Sequence, residues 1–215
     1  MVNQSDSYYE DLFTCLNGML FPGGGLDDLL NTGYGKAGRI FYDLAIKSYD
    51  KRGDYFPIWG TCLGMELLSA LTANKSLLAS VDATDISLPL HFTPGYHDSR
   101  LFHKADQSVL KILSTEDVTF NSHHRGLTPT NFSKSEALSK FYRVLSTNVD
   151  KKGVTFISAM EAIYYPIYGV QFHPEKNPFE WKAKNINHSC DAVTITQYFA
   201  DFIVGEARKS YHSFS

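Results

Sequence analysis

The chain has 215 residues (24.2 kDa), of which 43% are hydrophobic and 20% charged, with a formal charge of -3 and a pI of about 6.2. That length carries one well-buried α/β domain without disulfide staples, and the slightly acidic balance excludes a basic nucleic-acid-binding footprint. No stretch is long and apolar enough to span a bilayer, Met1 to Asp6 lacks the basic start and apolar run of a signal peptide, and Cys15, Cys62 and Cys190 have no paired spacing, so at least one thiol is free and a zinc ribbon is excluded.

Along the chain, Tyr8 to Leu16 reads as a helix stopped at Asn17-Gly18. Met19-Leu20-Phe21 reads as a short buried strand running into the turn Pro22-Gly23-Gly24-Gly25. Ala37, Ile40, Phe41, Leu44 and Ala45 recur at helical spacing, and that helix closes at Gly53. Phe56 to Trp59 is a second strand, followed at once by a helix over Met65 to Leu71. Signals weaken from Phe92 to Gly126, with one strand at Val118-Thr119-Phe120 ahead of Asn121-Ser122-His123-His124. Arg143 to Thr147 and Val154 to Met160 alternate about Asp150-Lys151-Lys152-Gly153 as a hairpin. Tyr168 to Phe172 is a strand delivering His173, and a final helix gathers Val193, Thr196, Phe199, Phe202 and Ile203 on one face docked on the sheet. Strands alternating with helices predict a parallel sheet covered on both faces, to which the hairpin adds antiparallel strands.

Cys62 falls in Gly60-Thr61-Cys62-Leu63-Gly64, a strand-to-helix turn whose glycines permit unusual backbone angles. A helix N-terminus there favours a thiolate, the nucleophilic form of cysteine. The Leu63 N–H would offer one oxyanion donor, and Gly24 in the glycine turn a second. In Gly169-Val170-Gln171-Phe172-His173-Pro174-Glu175, the base candidate His173 and its orienter Glu175 lie two apart, so extended backbone projects them to one side. Alone, Cys62 would be an ordinary buried cysteine and His173 a packed histidine; together they make a nucleophile with a base. His123 and His124 either line the site or sit in a solvated loop, and no ligand spacing joins them into a metal site. Arg125 is a carboxylate partner or an exposed arginine, and Glu66 is either functional or a favourable charge in the first helical turn. Asn3, Asn74, Asn131 and Asn187 begin N-glycosylation tripeptides.

Phe21-Pro22-Gly23-Gly24, Trp59 to Gly64 and Gly169 to Glu175 together resemble the class I glutamine amidotransferase superfamily, and within it the gamma-glutamyl hydrolase family. Asp54 to Pro57, Asn131-Phe132-Ser133, Phe156 to Glu161 and Glu206 to Lys209 extend that likeness across the chain. The resemblance implies a flavodoxin-like, doubly wound, mostly parallel sheet in a single hydrolase domain over residues 1–215. It implies a cysteine-type hydrolase without cofactor or metal that cleaves folate or antifolate polyglutamates, works as a homodimer and resides in the lysosome or outside the cell. By that likeness Cys62 is the nucleophile, His173 the general base and Glu175 the third member, with His123 in the family's Asn-x-His context. Glutamine-using relatives usually carry Gln where this chain has Glu66, which favours gamma-glutamyl hydrolysis over the alternative of a glutaminase subunit. Relatives also carry a signal peptide and then a strand, a helix and a strand ahead of the segment like Tyr8 to Gly18. The chain is accordingly expected to be a fragment, a shortened isoform or the product of a mispredicted start, lacking the fold's first strands, and an inactive shortened hydrolase is the further alternative.

Overall fold

The computed structural model describes residues 3–214. The chain opens with α1 (Asp6–Phe13), β1 (Met19–Phe21), α2 (Gly33–Arg52), β2 (Ile58–Thr61) and α3 (Leu63–Ala73). It continues through β3 (Ala79–Leu88), β4 (His91–Phe92), a 3₁₀ turn at Tyr96–Asp98, α4 (Gln107–Thr115) and β5 (Thr119–Gly126). It closes with α5 (Pro129–Ser133), α6 (Glu136–Phe141), β6 (Tyr142–Val149), β7 (Thr155–Ala162), β8 (Ile167–Val170), α7 (Lys176–Phe179) and α8 (Cys190–Ala207).

Six strands form one sheet in the order β1-β2-β8-β7-β6-β4, while β3 and β5 make a separate antiparallel ribbon. β1, β2 and β8 run parallel, with Phe21 opposite Gly60 and Gly60 opposite Gly169. β7, β6 and β4 extend the sheet antiparallel. Every residue of β2 and β8 is buried, as expected for strands covered on both faces. Alternation then divides them: Ile58 and Ile167 join the core under α2 and α3, whereas Trp59 and Tyr168 join the one under α4 and α8. Leu67 and Leu68 of α3 are completely buried, each worth about 1.5–3 kcal/mol relative to exposure. The sequence-derived α/β class with helices on both faces is therefore the observed one.

α2 is seated by small residues. A Cβ on Gly35 would lie 2.1 Å from the Leu29 carbonyl oxygen, and one on Gly38 2.7 Å from Leu67 Cδ2. Its C-terminus is capped by Gly53 in the left-handed region, as the sequence predicts.

Three boundaries differ from the sequence reading. α1 ends at Phe13, capped by Thr14, and Gly18 instead runs against Pro57, whose carbonyl oxygen would be 2.9 Å from an added Cβ. The polar run Asn121 to Gly126 is strand rather than loop, because β3 pairs with it along its length. On α8 the buried residues are Ala192, Ile195, Phe199 and Glu206, and Val193 faces outward, 41% exposed. β1 is an edge strand whose Leu20 is 52% exposed beside an apolar groove shared with Phe199 and Ile203. No helix among the described residues is long and apolar enough to cross a membrane.

Candidate active site

Cys62 stands between β2 and α3 with φ 51° and ψ -108°. A non-glycine residue held there stores of order 1–3 kcal/mol of strain, and the surroundings enforce it. An added Cβ on Gly60 would meet the Gly64 backbone at 2.6 Å, and one on Gly64 would meet the Phe21 carbonyl oxygen at 2.1 Å. Only glycines on both sides let the turn fold this tightly against β1. The Cys62 N–H donates to the Val170 carbonyl at 2.8 Å, which ties the nucleophile to the strand end that delivers His173.

His173 is buried, and its own N–H donates to the Phe120 carbonyl at 2.7 Å, so the segment after β8 is held against β5. Its Nδ1 lies 2.7 Å from Glu175 Oε1. Because a carboxylate only accepts, Nδ1 carries the proton and Nε2 is left for the thiol. Gly23 marks where the two groups converge: a Cβ there would sit 2.5 Å from His173 Cε1, 3.3 Å from Nδ1 and 3.5 Å from Cys62 Cβ. The glycine turn thus lies against both the imidazole and the Cys62 side chain.

The N–H dipoles of Leu63 and Gly24 both act on the Cys62 thiol, each favouring its thiolate. They converge from α3 and from the turn after β1, the arrangement of an oxyanion hole around an attacking atom. They are not enough to make a resting thiolate. Burial, then the negative charges of Glu66 and Glu175, push the Cys62 thiol up to about 12, so His173 has to remove the proton as the reaction proceeds.

Glu66 is buried one helical turn beyond Cys62 and accepts a hydrogen bond from Gln171 Nε2 at 3.1 Å. Burial raises its carboxyl, opposed by Gln171, Arg125 and His173. Arg125 is near enough for that attraction, yet its Nη1 donates to the Asp27 carbonyl at 3.2 Å and its Nη2 to the Leu26 carbonyl. It clasps the segment that leaves the glycine turn while keeping its charge at the site. His123 is turned inward on β5: Nδ1 donates to the Arg125 carbonyl at 2.7 Å, and Nε2 meets the Asn121 side-chain amide at 3.1 Å. Burial pushes its imidazole down to about 4, and the nearby His173 opposes its protonation further. The neutral ring has one N–H to give, at Nδ1, and Nε2 faces Asn121 Oδ1, a second acceptor. The strand alternation turns His124 outward to Thr84.

Two groups escape sequence reasoning. Gln171 lies inside the motif that delivers His173, and its two-residue spacing from His173 is the available signal. Tyr34, in the first turn of α2, gives none: its hydroxyl donates to the Pro22 carbonyl at 3.0 Å. Of the glycosylation tripeptides, Asn131 and Asn187 already donate through Nδ2 to the Leu77 and Asp117 carbonyls, each at 2.9 Å. Asn3 and Asn74 are exposed, Asn74 as the left-handed cap of α3.

The family model for glutamine amidotransferase class-I matches residues 29–192. The chain is 49% identical over 207 residues to human gamma-glutamyl hydrolase, covering 96% of itself and 64% of that protein. It is 46% identical to the mouse gamma-glutamyl hydrolase, covering 98% and 66% respectively, and 37% identical to gamma-glutamyl hydrolase B of Dictyostelium discoideum, covering 99% and 62%. The chain therefore spans a little under two thirds of the length of these relatives. Among solved structures, a putative GMP synthase protein from Thermoplasma acidophilum superposes with a TM-score of 0.53 at 13% identity, covering 95% of this chain and 79% of that one; it shares the fold.

Proposed function

Because the chain belongs to the class I glutamine amidotransferase family, we propose that it hydrolyses gamma-glutamyl bonds of folylpoly-gamma-glutamates through a Cys62 acyl-enzyme, as one hydrolase unit. The observation that carries this is the gathering of three elements around one cysteine: the strained elbow of Cys62, the Glu175-held imidazole of His173 packed with it on Gly23, and the N–H groups of Leu63 and Gly24. The similarity to named gamma-glutamyl hydrolases supplies the substrate class.

In this mechanism Nε2 of His173 takes the thiol proton as the sulfur attacks the gamma-carbonyl carbon. The carbonyl oxygen becomes an oxyanion held by Leu63 and Gly24, and the attack forms the S–C bond. His173, kept in the Nδ1–H tautomer by Glu175, returns the proton to the departing α-amine, so the C–N bond breaks and a thioester remains. Water, deprotonated by the same imidazole, then releases the acyl group. The Glu66–Gln171 pair and the positive charge of Arg125, which act on this centre electrostatically, suit a substrate with one amide N–H and one α-carboxylate on the residue under attack. His123 serves from below, fixing the strand that carries Arg125.

Glutamate release from a folate pentaglutamate tests the assignment. The chain is expected to liberate glutamate, and Cys62→Ala and His173→Ala to lower kcat by at least about 10³-fold. Undiminished turnover by Cys62→Ala would remove the mechanism.

A further inference from the structure

The turn that supplies the Gly24 donor packs on His173, Cys62 and Leu63 at its first two glycines but has no side chain of its own to hold it. Gly23, Gly24 and Gly25 carry no side chains, and no atom lies within 4 Å of where a Gly25 Cβ would stand. A run of three glycines has the largest backbone entropy to lose on ordering. An oxyanion donor nonetheless has to be fixed before the charge develops, since its contribution comes from not having to reorganise.

Two side chains bracket this turn from outside. On the exit side, Arg125 clasps the Leu26 and Asp27 carbonyls. On the entry side, Tyr34 donates its hydroxyl to the carbonyl of Pro22, the residue immediately before Gly23. Tyr34 is itself fixed. Its ring meets Phe21 edge-on at 6.2 Å, and the helix start that bears it is seated through Gly35 against the Leu29 and Leu30 backbone. Its phenol also feels the charges of Cys62 and Glu66.

We propose that Tyr34 is a positioning residue for the oxyanion hole, holding the Gly23-Gly24-Gly25 turn through its hydrogen bond to the Pro22 carbonyl so that the Gly24 N–H stays aimed at the Cys62 centre. The inference rests on the hydrolase assignment for its kinetic consequence and on the bracket geometry alone for its structural one.

Tyr34→Phe removes the hydroxyl and keeps the ring contact with Phe21. Glutamate release is expected to show kcat lowered about 5- to 20-fold with KM within about twofold, part of the 10²- to 10³-fold that losing a donor outright costs. A peptide aldehyde that forms a hemithioacetal with Cys62 is expected to bind more weakly by a similar factor, because its oxygen needs the hole. Alkylation of Cys62 by iodoacetamide, which develops no oxyanion, is expected to stay within about twofold. Amide hydrogen exchange over residues 23–27 is expected to quicken in Tyr34→Phe whether or not the chain turns over substrate, so failure of the hydrolase assignment is visible separately as wild-type protein that releases no glutamate. Unchanged exchange over that segment overturns the proposal, as does an equal loss of kcat and of iodoacetamide reactivity.

Discussion

Gly23→Ala puts the convergence of His173 and Cys62 to a quantitative test. The new methyl would begin 2.5 Å from His173 Cε1 and 3.3 Å from Nδ1, where carbon atoms rest at about 3.5–4.0 Å. The imidazole therefore has to retreat from the turn by about 1 Å, out of its place beside Cys62. Its 2.7 Å contact to Glu175, which sits on the same short segment, has to shift with it. A displacement of that size at a reacting group costs about 10²-fold in rate, or roughly 2.7 kcal/mol of barrier. Gly25→Ala is the matched control, since it adds the same methyl to the same turn with no atom within 4 Å. The assay is kcat for glutamate release by both variants, with thermal unfolding to establish that each is folded. Gly23→Ala is expected to lose about 10²-fold and Gly25→Ala less than about threefold. Wild-type kcat in Gly23→Ala, or equal losses in the two, would refute the packing argument.

The resting thiol is pushed up to about 12 by burial and by the Glu66 charge, so iodoacetamide alkylation of Cys62 is expected to keep rising from pH 8 to pH 10; a plateau by pH 9 would contradict this. Glu66→Gln removes the stronger of the two carboxylate influences on that thiol while preserving size, and alkylation at pH 8 should speed up roughly 5- to 10-fold; an unchanged rate would show the carboxyl to be electrostatically silent. Glu206 supplies a stability prediction. Burial alone would raise its carboxyl, but Lys209, Tyr168 and Tyr55 hold it below its ordinary value. The unfolded state thus binds the proton more readily, and the stabilisation is present above the ordinary glutamate value near 4.5 and fades as the pH falls through and below it. Glu206→Gln should cost about 1–3 kcal/mol at pH 7 and progressively less below pH 4.5 in denaturant titrations; a cost independent of pH would contradict the ionic account.

What is legible in the sequence is chemistry tied to backbone demands. Gly60 and Gly64 signal the elbow because no other residue clears Gly64 and Phe21 at these distances, and the two-residue spacing of His173 and Glu175 translates directly into a 2.7 Å contact. The strand-helix alternation likewise yields the layered sheet, because β2 and β8 are buried on both faces and read as apolar runs. The polar run Asn121 to Arg125 reads as loop because strand propensity there is weak, and pairing with β3 overrides it. That same pairing decides between the roles left open for its side chains, turning His123 in and His124 out, and aiming Arg125 at the loop beyond the glycine turn. Tyr34 lies 28 positions before Cys62 and becomes part of the site only through the docking of α2, which no local pattern announces.

The most direct test of the central claim is intact-protein and peptide mass spectrometry on the chain quenched in acid during turnover of a folate pentaglutamate. A folyl-glutamyl thioester is expected on the peptide containing Cys62, absent from Cys62→Ala and longer-lived in His173→Ala if any forms. Glutamate release with no adduct at Cys62, sustained equally by Cys62→Ala, would contradict the assignment of this sulfur as the nucleophile.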